Sequence, residues 1–269
     1  MIAAILFAAQ AASFAPPLDQ PLRAVTETSR TDAGVTRRFA NARRILFRRS
    51  ATGYRAEVTI EPGSPAVSGE DDPIAMFRAG FARIAGRTVV LHLDPAGRVS
   101  AIEGQETIWK AFLDGIAALA PPGSGDLDRR RAGQIRAILA ALAPMPPERQ
   151  RATLATLVEP LIAADIAAAG ESSPRPIRVP AGSAFGGAQL DGIRAVRRER
   201  GHLIVSVSAA GDVTQRTPTG QATGRVTLET VRRVDPASGL VLESSDTVRT
   251  EIAGAPPATR LTVTTIRTP

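Results

Sequence analysis

The chain has 269 residues, of which 43% are hydrophobic and 4% aromatic, with a formal net charge of +7. That apolar content supplies a core of Ala, Val, Leu and Ile and excludes a wholly disordered chain, while the absence of cysteine excludes disulfides, thiol nucleophiles and thiolate metal sites. Lysine occurs only at Lys110, so the basic charge is almost all arginine; with one Trp and one Tyr there is little to stack bases, no nucleic-acid-binding motif is present, and nucleic acid is not an expected partner.

In chain order, Ile2 to Ala9 form a short apolar run, and Ala9-Gln10-Ala11 and Ala11-Ala12-Ser13 follow as small-residue cleavage patterns. The run is too short to span a bilayer. We read residues 1–15 as a signal peptide cleaved near 11–13, which places the mature protein in the periplasm or outside a bacterial cell. No later stretch is apolar for long enough to form a transmembrane helix.

A first strand-rich block follows, from about Pro21 to Gly104. Tyr54, Ala56, Val58 and Ile60 alternate with polar residues at period two, and Ile45-Leu46-Phe47 precedes them across Ser50–Gly53, which predicts a hairpin. Glu70, Asp71 and Asp72 head a short helix with Pro73 in its first turn, and Ile74, Phe77, Phe81 and Ile84 line one face of it. A second hairpin is predicted over Val89–Ile102, with Asp94-Pro95-Ala96-Gly97 carrying the residues that a type I turn prefers.

The segment from about 105 to 170 reads as helical. Ile108, Trp109, Phe112, Leu113, Ile116 and Leu119 make one stripe; Ile135, Ile138, Leu139 and Leu142 mark a second helix, and Leu154 to Ile162 a third that Pro160 should kink or break. The block from Pro174 onward is strand again. Leu203-Val205-Val207, Val226-Leu228, Leu240-Leu242 and Leu261-Val263 are its apolar alternations, with turns at Gly201, Asp235–Gly239 and Gly254–Pro257. Strands that follow one another without helices between them predict an antiparallel meander. The fold class is therefore α+β: a single domain over 21–269, with a curved antiparallel sheet, a meander or half-barrel, and an amphipathic helical insert at 105–170.

No nucleotide loop, nucleophile elbow or metal spacing occurs, so no catalytic residue, cofactor or metal is assigned. His92 is predicted to face solvent, opposite Val89, Leu91 and Leu93, and His202 sits at a hairpin turn. The arginine doublets Arg37-Arg38, Arg43-Arg44 and Arg48-Arg49 are candidates for weak contact with an anionic surface; on a strand, the two members of each must point to opposite faces. The large rings concentrate in the helical parts, which makes Phe77, Phe81, Trp109, Phe112 and Ile116 the candidate lining of an apolar-ligand site.

The hairpins Val89–Val99, of the form V-x-L-D-P-x-G-x-V, and Val234–Val241, of the form V-D-P-x-x-G-x-V, flank the helical insert. In this the chain resembles a group of uncharacterised bacterial envelope proteins, although Val179–Ser183 stands where that group has a G-[DE]-x-W step. In architecture it is also similar to periplasmic lipoprotein carriers of the LolA and LolB kind, a resemblance that implies a curved sheet covered by helices and an acyl-chain ligand. The expected function is a non-enzymatic exported binding protein for an apolar or lipid-like ligand. The alternatives are a structural or protein–protein interaction module of the envelope, and a hydrolase whose site carries no recognisable motif.

Overall fold

The computed structural model of the chain describes residues 14–62, 79–120, 125–183, 186–217, 220–252 and 256–268. The expected leader up to Ser13, the acidic helix start Glu70–Asp72, and Phe77 lie outside these residues.

Among the described residues, eleven strands form one antiparallel sheet that does not close. They are β1 (Leu22–Asp32), β2 (Val35–Ser50), β3 (Gly53–Ile60), β4 (Thr88–Leu93), β5 (Val99–Ile102), β6 (Ser172–Ser183), β7 (Gly186–Glu199), β8 (His202–Thr217), β9 (Gly220–Val234), β10 (Val241–Ile252) and β11 (Ala258–Arg267). Their order is β5-β4-β3-β2-β1-β11-β10-β9-β8-β7-β6. Two meanders are thus joined along β1 and β11, with Arg23 opposite Arg267 and Thr31 opposite Thr259. The sheet curves strongly enough that β6, four strands from β10 in hydrogen-bonding order, curls back to approach it.

The helical insert contains α1 (Gln105–Ala117), α2 (Asp126–Leu142), α3 (Pro147–Ala155), a 3-10 turn at Glu159–Leu161, and α4 (Ala164–Ala169). Pro160 lies in the 3-10 turn, so the third predicted helix is broken there, as a missing N–H requires. The insert lies on the inner face of the sheet. Trp109, Phe112 and Ile116 of α1, Ile135 of α2, and Leu154, Leu157, Val158 and Leu161 pack with Ile45, Phe47, Tyr54, Ala56, Val58, Val89, Leu91 and Leu93. Farther along, Ala163 and Ile166 pack on Val196, Leu203, Val205 and Val234 of the other meander. A third small cluster, Leu190, Ala209, Val226 and Val248, fills the curl of β7 to β10.

Both D-P-A turns converge on Phe14. Its N–H donates to the Pro95 carbonyl at 3.1 Å, and the next N–H, of Ala15, donates to the Ser238 carbonyl at 3.1 Å. The ring meets Phe47 and Tyr54 edge-on at 5.5 and 5.4 Å, and the Tyr54 hydroxyl donates to the Phe14 carbonyl. Gly97, at φ +83°, touches this knot so closely that a Cβ there would lie 2.7 Å from Ile162 and 3.1 Å from the Phe14 ring. In the second turn, burial works against ionisation of Asp235, but the Ser238 hydroxyl and the N–H groups of Ala237 and Ser238 outweigh it and hold the carboxyl below its ordinary range. Phe14 and Ala15 are therefore working parts of the fold, although the sequence reading included them in the leader.

Replacing Phe14 by Ala removes a fully buried ring from between three elements. The expected loss is about 3–5 kcal/mol, seen as a fall of roughly 10 °C in melting temperature. Leu18→Ala, four residues on and 41% exposed, should change stability by less than about 0.5 kcal/mol.

Candidate functional site

The aromatic residues singled out in the sequence do come together, but as packed core. Trp109 stacks on Phe112 at 5.1 Å, and Phe81 meets Phe112 edge-on at 5.1 Å. Trp109, Phe112 and Ile116 are buried, and Phe81 is partly so. A Cβ on Gly80 would collide with the Phe112 ring and one on Gly115 with the Ala79 carbonyl, so the helical residues 79–82 lie directly against α1. The Trp109 indole N–H is buried without a hydrogen-bond partner among the described residues.

Open volume lies beside this cluster. A groove of about 420 Å³ runs between β4 and the start of α1, lined by Ile84, Arg87, Thr88, Val89, Val90, Glu103, Gly104, Thr107 and Ile108. Ile84 and Val89 belong to the same packed cluster as Trp109, and Ile108 packs against it. The groove therefore has aliphatic walls backed by the core, with one guanidinium and one carboxylate at its lining. Sequence reasoning missed it because its lining comes from a strand, a turn and a helix start whose residues carry no shared period.

The two faces of the sheet differ in charge. On the outer face arginines meet carboxylates: Arg178 with Asp191 at 2.8 Å, Arg225 with Asp212 at 3.3 Å, Arg233 with Glu243 at 3.5 Å and Arg249 with Glu251 at 2.6 Å. Across β2 to β5, a further chain links Asp19, Arg48, Glu57, Arg55, Glu103 and His92. His92 Nε2 is 3.0 Å from Glu103 on this outer face, as the strand alternation predicted. His202 lies on β8, far along the sheet order from β4, and contacts the Arg200 carbonyl. The described histidines and carboxylates form no group of three that could hold a metal ion.

The inner face carries arginines with few carboxylates. The Nε atoms of Arg43, Arg194 and Arg232 are buried without hydrogen-bond partners among the described residues. By register all three lie on the face that carries the core residues Ala24, Val196, Val205 and Val234. Of the doublets, Arg37, Arg43 and Arg49 point inward and Arg38, Arg44 and Arg48 outward. Arg49 covers the Tyr54 ring at 4.7 Å. Arg43 is not an exposed surface residue. Desolvation pulls its pKa down from the ordinary guanidinium range to about 10, and it donates a hydrogen bond to the Thr26 hydroxyl at 3.4 Å. None of the described helices is long and apolar enough to cross a membrane.

Arg43 still carries its charge at neutral pH, so its burial opposes folding there, and the opposition fades only as pH rises past about 10. Arg43→Met keeps the volume and removes the charge. It should raise stability by about 1–2 kcal/mol at pH 7, read as an upward shift of the denaturant midpoint; a downward shift would mean that the guanidinium holds the strands together.

Comparison with family models, with curated proteins and with solved structures finds no match for this chain.

Proposed function

We propose that this protein is exported and acts by binding, without catalysis, taking an apolar or lipid-like ligand in the groove between β4 and α1. The observation that carries this reading is the groove itself. Its volume of about 420 Å³ is that of a small-ligand site, typically about 300–1,000 Å³. Ile84, Val89 and Ile108 give it aliphatic walls, and Arg87 and Glu103 supply the few polar groups that orient a ligand. Export fits the apolar run at Ile2–Ala9. Removal of the leader after Ala11 leaves Phe14 two residues inside the new terminus, free to keep its place between the two turns.

A second reading, an interaction module of the cell envelope, is favoured by the solid packing of Trp109, Phe112 and Ile116. In that reading the outward arginines Arg38 and Arg44 meet an anionic surface, since Arg48 is already tied to Asp19 and Glu57.

N-terminal sequencing of the protein recovered from the periplasm of an expressing bacterium is expected to begin between Ala12 and Phe14; an intact Met1 in the cytoplasmic fraction overturns the export reading. Trp109 is the only tryptophan and directly follows Ile108, so its emission reports on the groove. Titration with palmitate should shift that emission with saturation, and Ile108→Asp should weaken binding by at least about tenfold, because a buried charge next to an acyl chain costs more than 1.4 kcal/mol. Unchanged emission together with no heat of binding in calorimetry would replace the carrier reading with the interaction reading.

A further inference from the structure

The groove between β4 and the start of α1 combines two kinds of surface. Ile84 and Val89, each 1% exposed, and Ile108 give it hydrocarbon walls. Thr88 and Thr107 add hydroxyls, and the ionisable side chains of its lining are Arg87 and Glu103. An aliphatic wall beside a charge is the surface that an amphiphile complements, and the sign of its head group depends on which of the two charges is available.

The two are not equivalent. Glu103 is engaged outside the groove: its Oε1 lies 3.0 Å from His92 Nε2 and 3.6 Å from Arg55 Nε. His92 and Arg55 are directly opposite each other on β4 and β3, and neither belongs to the groove lining. Arg87 is exposed, and among the described residues its guanidinium has neither an ion pair nor a hydrogen bond. Glu106, in the first turn of α1, is also exposed and is not part of the lining. The groove therefore offers one available positive charge beside its aliphatic walls, while its one carboxylate is already neutralised from the outer face.

We infer that the groove selects a single-chain carboxylic acid, with the chain on Ile84, Val89 and Ile108 and the carboxylate on Arg87. The inference rests on the reading that this groove is the ligand site, and adds the head-group charge that it selects. The other occupants each leave something unsatisfied. A chain with a neutral head covers Arg87 and removes water from it without returning an anion. A cationic head meets a like charge. A small inorganic anion pairs with Arg87 but leaves the aliphatic walls in water. Among anionic heads, one guanidinium fork offers two parallel N–H bonds and one charge, which the two oxygens and single charge of a carboxylate match. A phosphate monoester, at about −1.5 to −2, brings more charge than one arginine neutralises.

The test uses the full chain and three probes that share one alkyl chain and differ only in head-group charge: decanoate, 1-decanol and decyltrimethylammonium, each below the concentration at which it aggregates. Binding is measured by calorimetry and by Trp109 emission. The variants are Arg87→Gln, Arg87→Glu and, as a control, Arg83→Gln, an exposed arginine one helical turn earlier that does not line the groove. Wild type is expected to bind decanoate about fivefold more tightly than decanol, the scale of a charge-assisted pair at a partly exposed site, and decyltrimethylammonium more weakly than decanol. Raising the salt concentration should shrink the preference for decanoate, because exposed charges are screened. Arg87→Gln should bring decanoate to the level of decanol while leaving decanol unchanged, Arg87→Glu should reverse the order, and Arg83→Gln should bind all three as wild type does. The inference is overturned if wild type binds decanoate and decanol equally, if Arg87→Gln keeps the preference, or if Arg83→Gln loses it as fully as Arg87→Gln. In each of those outcomes the groove still takes an alkyl chain and only the charge selection falls. If wild type binds none of the three probes, the reading of the groove as the ligand site falls with it.

Discussion

The pairing of β1 with β11 constrains the rest of the molecule. Because the first and last strands of the fold meet in the middle of the sheet, β5 and β6 are driven to its opposite edges. The chain between them must therefore travel from one edge to the other. It crosses the concave side, because only there can the apolar stripe of α1 and the apolar ends of α3 and α4 be removed from water. The helical insert is thus a bridge across the inner face. Its first part rests on β3 to β5 and its last on β7 to β9, and Ile162, at the end of the 3-10 turn, forms a bridge with Leu240. Phe14 and Ala15 fasten the same region from below, their N–H groups donating to the Pro95 carbonyl of one D-P-A turn and the Ser238 carbonyl of the other.

The described helices pack on the apolar part of the inner face. Along the β1–β11 seam the inward pairs run from Ala24 with Ile266, to Thr26 with Thr264, to Thr28 with Thr262, and finally to Arg30 with Arg260. The two threonine pairs satisfy each other's hydroxyls at 3.1 and 3.4 Å. Inward residues along this seam thus pass from apolar through hydroxyl to guanidinium, while on the outer face several arginines meet carboxylates across neighbouring strands.

Much of this was legible in the sequence, and the parts that were not share a cause. The hairpins β2–β3 and β4–β5 are local: turn residues at fixed offsets and period-two alternation announce them. The stripes of α1 and α2 are equally local. β6 escaped notice because Pro174, Pro176 and Pro180 disguise it, and β7 because its inward residues are interrupted by Gly192 and Arg194. The arginine doublets could be split between faces by parity alone. Which arginines become neighbours could not be read, because the register of β1 against β11 joins residues more than two hundred positions apart. The likeness between the Asp94 and Asp235 turns was visible in their shared D-P-A pattern; that they hold the adjacent residues Phe14 and Ala15 was not, since convergence of two distant turns is a property of the assembled sheet. The aromatic cluster was recognised as a group, but whether a group of rings lines a space or fills it depends on close approaches such as those at Gly80 and Gly115.

An open sheet of eleven strands has two edges at which another strand could add, and both are occupied or blunted. At β5, a strand of only four residues, the Val99 N–H donates to Glu159. At β6, an edge strand, Pro176 and Pro180 have no N–H to offer an incoming chain. Recognition by strand addition is therefore unfavourable at either edge, which leaves the faces. On the outer face several arginines are already paired with carboxylates across neighbouring strands, and a partner docking over those pairs would have to break them without replacing them. On the inner side the groove beside α1 has unfilled volume with aliphatic walls backed by the core. Its place is set by where the start of α1 meets β4, and so by how far the apolar residues continue along that strand.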